Sequence, residues 1–393
     1  MRDTYIADWQ AVKNRFEQWW NRESWDKPTD KPTDKPTDKP TDKPTDKPTD
    51  KPTDKPADRP LMRIIAAGKP GRTVPVEEPR EPRDKYVNVS SILAGFRNYC
   101  ETHYFLGDAF PAADINLGPG SMALYLGGEP GFAWDTVWYK EKCESPLEFD
   151  ALGYDENNYW WALHQKMAEE AAALAAGDFY VSIPDIIENL DILSALRGPQ
   201  NLCYDMIDEP EAVSRGVEIV DGVYFRYYDR FYNLLHDEDG SSSYTAFCIL
   251  GKGRVAKVQC DYCALISPEL FREYVQPSLR KQCRNLDHSL YHLDGPDAIK
   301  HVPALMEIEE LDALQWTCGA GKPDGGCEKW YSIYDQVRAA GKGLWIQLYD
   351  GGASDWAESA KRLVKRYGKT GMYFLFPQFA NLGEAQKMAN LFE

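Results

Sequence analysis

His292 and Asp294 stand two positions apart at the end of a short apolar run, Leu290-Tyr291-His292-Leu293, which stops at Asp294-Gly295-Pro296. Side chains two apart on an extended strand share a face. An imidazole and a carboxylate presented together suit either a metal ion or proton transfer; the plainer reading is a hydrogen-bonded pair that ties a strand to its following helix. A second run, Ala313-Leu314-Gln315-Trp316, delivers Thr317 and Cys318 at its end. A third, containing Lys257-Val258-Gln259-Cys260, delivers Asp261, which is either a pocket residue or the cap of a turn. Gln347, Tyr349 and Asp350 end a fourth apolar run, and three polar groups closing one buried strand point to a ligand.

The elements that must position these groups alternate between strand and helix. Asp297 is the expected N-cap of a helix through about Met306. Further helices are expected over 330–340 and 356–367, with strands over 343–349 and 371–376. Such crossovers imply a parallel sheet, and in parallel β/α folds ligands bind at the C-terminal strand edge. Upstream, a strand is expected over 61–67, helices over 86–103, 157–176 and on to about Leu235, and a strand over 255–260. Ser267-Pro268 opens another helix, with serine as cap and proline in the first turn. The alternation predicts an α/β fold, a single TIM (β/α)8 barrel over residues 59–393.

Two stretches look like cavity walls. Residues 107–120 gather Asp108, Asp114, Asn116 and several glycines in a segment with little helix character. Asp114 and Asn116 are equally suited to local turn bonds. Residues 132–142 hold Trp134, Asp135, Trp138 and Tyr139, a wall or lid. Of Trp138, Trp160, Trp161 and Trp316, most are expected in the core; Trp138 and Trp316 are the two that would face a flat ligand.

The 393-residue chain is 43% hydrophobic, enough for a large core, and carries a net charge of −17, which excludes a nucleic-acid surface. No apolar run has the length of a membrane span, and MRDTYIADWQ lacks the apolar centre of a signal peptide, so a cytoplasmic protein is expected. Nine cysteines without a disulfide spacing read as reduced thiols. Residues 1–25 contain an amphipathic helix with Trp9, Trp19, Trp20 and Trp25; residues 26–58 repeat Asp-Lys-Pro-Thr. A proline at every fourth position forbids helix and sheet, and the repeat has no apolar face, so a disordered surface loop is expected.

In this order the segments resemble the uroporphyrinogen decarboxylase superfamily, which includes corrinoid-linked, zinc-dependent methyltransferases. The resemblance runs from about Arg59 to the C-terminus and rests on Asp114-Ile115-Asn116, Asp205-Met-Ile-Asp-Glu-Pro-Glu, Cys260-Asp261-Tyr262, Ser267-Pro268-Glu269-Leu270-Phe271, His292-Leu293-Asp294-Gly295, Gln315-Trp316 and Gln347-Leu348-Tyr349-Asp350. It implies a barrel with its site at the C-terminal mouth. Two departures exclude the tetrapyrrole decarboxylation: the segment after the first strand, Ala66-Ala67-Gly68-Lys69-Pro70-Gly71-Arg72, has few cations, and Phe376-Pro377-Gln378-Phe379-Ala380-Asn381 has no histidine. The methyltransferase branch implies zinc at His-x-Cys, where this chain has His292-Leu293-Asp294. The same branch implies an enzyme that moves a methyl group between a small substrate and a corrinoid (cobalamin) held by a partner protein. His292 and Asp294, with Cys318 or Asp350, would hold the metal, and Asp261 and Cys260 or Cys263, near the same rim, could also complete the site; Asp108, Asp114, Asn116, Trp138, Asp261, Trp316, Gln347 and Tyr349 would surround the substrate. Two rivals remain: a metal-free decarboxylase or lyase using Asp114 and Asp261 as general acid and base, and a ligand-binding barrel without catalysis.

Overall fold

The computed structural model describes residues 3–21 and 59–393. The Asp-Lys-Pro-Thr repeat and residues 22–25 of the expected first helix lie outside the described residues.

In chain order the strands are β1 Leu61–Ala67, β2 His103–Gly107, β3 Ala112–Ala113, β4 Glu129–Phe132, β5 Val137–Lys140, β6 Tyr180–Val181, β7 Ser241–Tyr244, β8 Ile249–Lys252, β9 Val255–Gln259, β10 His288–Asp294, β11 Ala313–Thr317, β12 Gly343–Gln347 and β13 Met372–Leu375. Seven of them form one sheet in the order β2-β1-β13-β12-β11-β10-β9. All pair parallel except β2, which runs antiparallel to β1. Beyond β9, β6 pairs with β3, and backbone bonds run from Ser182 N to Ala113 O at 2.8 Å and from Ile183 N to Ser243 O at 3.0 Å. The fold is therefore mixed α/β around a central parallel sheet.

Helices join the parallel strands because same-direction strands need a long crossover. The helices Gln276–Asn285, Tyr331–Ala339 and Ala353–Tyr367 fill this role. Strands covered on both faces must be apolar nearly throughout, and Leu290, Leu293, Leu314, Leu344, Ile346 and Phe374 are fully buried. The helix expected from Asp297 is instead a 3-10 turn, Pro296–His301, followed by the short helix Val302–Met306. Gly295, at φ +75°, occupies the cap position. His103, expected to end a helix, begins β2, and residues 132–142 fold back as the β4–β5 hairpin.

The first helix spans Trp9–Asn21 and buries Trp9, Val12, Phe16, Trp19 and Trp20, an i, i+3, i+7, i+10, i+11 stripe on one face. It lies across the N-terminal ends of the strands. Trp20 stacks on His288 at the start of β10, with ring centroids 4.9 Å apart, and Phe16 meets Tyr373 of β13 edge-on at 5.5 Å. The opposite, C-terminal edge is left for the polar groups.

Asp108 belongs to this closed end. Its fully buried carboxylate accepts from both Arg15 and Arg59 and from Met62 N at 2.8 Å. Every lone pair it offers is committed to anchoring the first helix and β1, so it is a structural tie and not the substrate contact expected from its loop.

Candidate functional site

Register brings the polar groups together. His292 pairs with Gln259 on one side and Gln315 on the other, so the three side chains share one face of the sheet. Two residues on, the same face carries Asp294 and Thr317, and the chain leaving β9 carries Asp261.

Gln315 fixes the histidine. Its amide nitrogen donates to Thr317 Oγ1 at 2.8 Å, which turns its amide oxygen toward His292 Nδ1. Nδ1 therefore carries the hydrogen, and the Nε2 lone pair is left free. That lone pair faces Asp261 Oδ1 at 4.0 Å. Burial holds the imidazole below its ordinary pKa, and the Lys257 ammonium adds to this, so the ring is neutral. The Phe247 ring closes one side at 4.9 Å.

Asp261, whose side chain is 48% exposed, is pushed up to about 7, first by desolvation among its neighbours in the site and then by the Asp191 carboxylate. Its Oδ2 accepts from Gln259 Nε2 at 3.0 Å. Asp191 accepts from Asp261 N at 2.9 Å and from Tyr262 N at 2.8 Å, which orients the turn presenting Asp261. The buried Lys257 pairs with Asp185 at 2.9 Å and donates to the Gln259 side-chain oxygen. Asp185 accepts in turn from Tyr244 Oη at 2.6 Å. Ligand atoms of Asp261, His292 and Asp294 all lie within 4.8 Å of one another.

Asp114 looks onto the same charges. Although it reaches the surface, desolvation by the surrounding chain raises its pKa to about 6 and the Asp185 carboxylate adds to the shift, while a hydrogen bond from Asn116 opposes it. Asp185 acts in the same direction on Asp261, so Asp114, Asp185 and Asp261 share one electrostatic environment. Asn116 bonds Asp114 and accepts from Gly118 N at 2.9 Å, so it shapes the loop. Behind that loop, His164 Nε2 donates to Ile115 O at 2.6 Å and its Nδ1 accepts from Tyr125 Oη at 2.5 Å.

A cleft of about 560 Å³ opens beside this network, lined by Gln259, Asp261 and Asp191 together with Trp138 and Tyr139 of β5. Trp138 is 68% exposed, an aromatic surface facing open space.

The remaining expected residues sit elsewhere. Trp316 alternates with Gln315 and Thr317, so it points away from the site and packs against Trp330 at 5.0 Å. It belongs to the core. Cys318 has the same parity as Trp316; it is buried, and burial with Asp324 and Asp350 nearby pushes its thiol up to about 12. Asp350 accepts from Asp324 N at 2.8 Å, and Asp324 accepts from Tyr349 N and Asp350 N, so these residues build a turn. Neither Cys318 nor Asp350 joins the His292 cluster; Asp261 takes the third position. Gln347 and Tyr349 reach the C-terminal edge exposed but line no part of the 560 Å³ cleft. Asp185, Asp191, Lys257, Gln259 and Gln315 are site residues that the sequence reading does not single out. A signal for three of them exists in the sequence: Lys257-Gln259-Asp261 and Gln315-Thr317 place polar groups at every second position of buried strands.

A family model described as PT disordered repeat matches residues 25–61. No curated protein sequence matches the chain. Among solved structures, the chain is similar to a methyltransferase from Methanosarcina mazei, with a TM-score of 0.54 and 10% identity over 86% of this chain and 94% of that one. At such identity the shared property is the fold: this chain has the backbone architecture of that methyltransferase.

Proposed function

We propose that this chain is a (β/α)8-barrel enzyme of the uroporphyrinogen decarboxylase-like class that transfers a methyl group between a small substrate and a corrinoid carried by a partner protein, with a divalent metal, zinc first, at the barrel mouth. The observation that carries the reading is the triad at the C-terminal sheet edge: a histidine whose Nε2 lone pair is fixed outward by Gln315, and the carboxylates of Asp261 and Asp294 within 4.8 Å. The likeness in fold to the Methanosarcina methyltransferase supports it.

The donors fit a divalent cation. A neutral imidazole nitrogen with two carboxylate oxygens leaves coordination positions open, the pattern of catalytic sites more than structural ones. Without a thiolate the set is harder than a cysteine-bearing one. The metal would supply Lewis acidity to the oxygen or sulfur bearing the methyl group. The chain's own residues do the rest. Gln315 and Thr317 hold the imidazole in one tautomer, Gln259 holds Asp261, and Trp138 and Tyr139 wall a substrate against them. Lys257 offsets part of the negative charge that Asp185, Asp191 and Asp261 concentrate.

Metal content of protein purified without added metal, by mass spectrometry, tests this. About one equivalent is expected in the wild type, and much less in His292→Ala and Asp294→Asn. Demethylation of free methylcobalamin, followed by its visible spectrum, tests the transfer itself. A wild type with neither metal nor cobalamin turnover removes the reading.

A second reading, metal-free acid–base chemistry by Asp114 and Asp261, is favoured by one observation: desolvation and neighbouring carboxylates raise both carboxyls toward neutral pH, to about 6 and about 7. Turnover that survives full metal removal yet is lost in Asp114→Asn would select it.

A further inference from the structure

The turn that sets Phe247 against His292 also contributes Thr245 and Cys248 to a second cavity, of about 280 Å³, walled by Phe96, Phe105 and Phe110. Its one charged group is Arg63, on the inner face of β1. Other partly buried arginines of this acidic chain have carboxylates: Arg59 has Asp108, Arg97 has Asp178 and Arg197 has Asp205. Among the described residues no carboxylate pairs with Arg63; the Tyr99 hydroxyl hydrogen-bonds its guanidinium, and the Tyr373 hydroxyl and the Cys248 thiol lie nearby. Burial raises both the thiol and the Tyr99 phenol, so neither supplies a negative charge. An ion removed from water without a counter-ion is expensive. On the same cavity wall, Thr245 has a buried Oγ1 without a partner among the described residues. The turn is itself held in an unfavourable conformation, since Cys248 adopts φ +53° with a side chain in place.

A guanidinium without a counter-ion and a threonine whose hydroxyl has no partner among the described residues thus line one small space with three phenyl walls. We infer that this cavity binds a small carboxylate on a flat apolar body, the carboxylate on Arg63 and Thr245 and the body among the phenylalanines. A guanidinium matches a carboxylate in two parallel bonds, and the aromatic walls favour an apolar stem over a hydrated inorganic anion.

Calorimetric titration of the full chain with sodium benzoate tests this, with benzyl alcohol as the uncharged isostere and inorganic phosphate as the hydrated anion. The wild type should bind one benzoate and melt higher in its presence, and benzyl alcohol should do neither. Arg63→Met should weaken benzoate at least tenfold while leaving the unliganded melting temperature unchanged or higher, because an uncompensated charge is removed. Thr245→Val should weaken it several-fold. Should Arg63→Met fail to fold, Arg63→Lys, which keeps the charge and loses the fork, should bind benzoate more weakly than the wild type. Absence of benzoate binding by the wild type overturns the inference. So does equal binding by the Arg63 and Thr245 variants, or phosphate binding where benzoate does not.

Discussion

His292 Nε2 and Asp261 Oδ1 face each other at 4.0 Å, too far for a hydrogen bond and slightly wider than two ligands of one small cation. Ligand bonds of 2.0–2.1 Å in tetrahedral geometry put donor atoms roughly 3.3 Å apart. The pair needs to close by less than 1 Å to hold a metal, a movement the exposed Asp261 side chain can make.

Gln315 sets the direction of that lone pair, so its removal should act on metal affinity. Gln315→Leu frees Nδ1 and lets the ring exchange tautomers. A loss of metal affinity of about 10–100-fold is expected, with a smaller one for Thr317→Val. Chelator competition measures it, and unchanged affinity in Gln315→Leu would show that the imidazole is held by other means.

Lys257 and Asp185 form a buried pair at 2.9 Å with Tyr244 behind it. Removing one partner leaves the other charged and out of water, so Lys257→Met should cost about 3–5 kcal/mol in urea unfolding. The double variant Lys257→Met/Asp185→Asn should regain much of that loss. Strict additivity in the double-mutant cycle would mean that the two side chains do not depend on each other.

Two buried groups give stability opposite dependences on pH. His164 is held down to about 4 from 6.5 by burial. The unfolded chain therefore binds the extra proton between those values, and stability is complete above 6.5 and lost as pH falls toward 4, by up to about 3 kcal/mol. Glu188 is raised to about 8 from 4.5, again by burial. There the folded chain holds the extra proton, so that contribution is complete below 4.5 and lost as pH rises through 8. Glu188→Gln should raise the relative stability above pH 7, and His164→Gln should flatten the acid limb. Urea midpoints from pH 4 to 9 read both slopes.

Trp20 tests whether the first helix belongs to the core. Its ring stacks on His288 and its Nε1 donates to Leu250 O at 2.8 Å. Trp20→Ala should destabilise by about 3–5 kcal/mol, read as a lower thermal midpoint. A change below about 1 kcal/mol would mean the helix docks without supporting the sheet.

Local rules reach as far as parity and period. The alternation of apolar runs with helical stretches made a parallel sheet legible, and spacing alone put His292 and Asp294 on one face. The same parity, applied to Ala313–Thr317, separates Gln315 and Thr317 from Trp316 and Cys318. Which of the candidates Asp261, Cys260, Cys263, Cys318 and Asp350 joins His292 and Asp294 was decided only in three dimensions. The register His292↔Gln259 brings the end of β9 beside β10, so Asp261 arrives and Cys318 does not. Register is a property of paired strands, fixed by burial on both faces, and no single run of residues contains it. The burial of Asp108 between two arginines and, among the described residues, the absence of an acid paired with Arg63 are decided the same way, by chain segments far apart in sequence that meet only on folding.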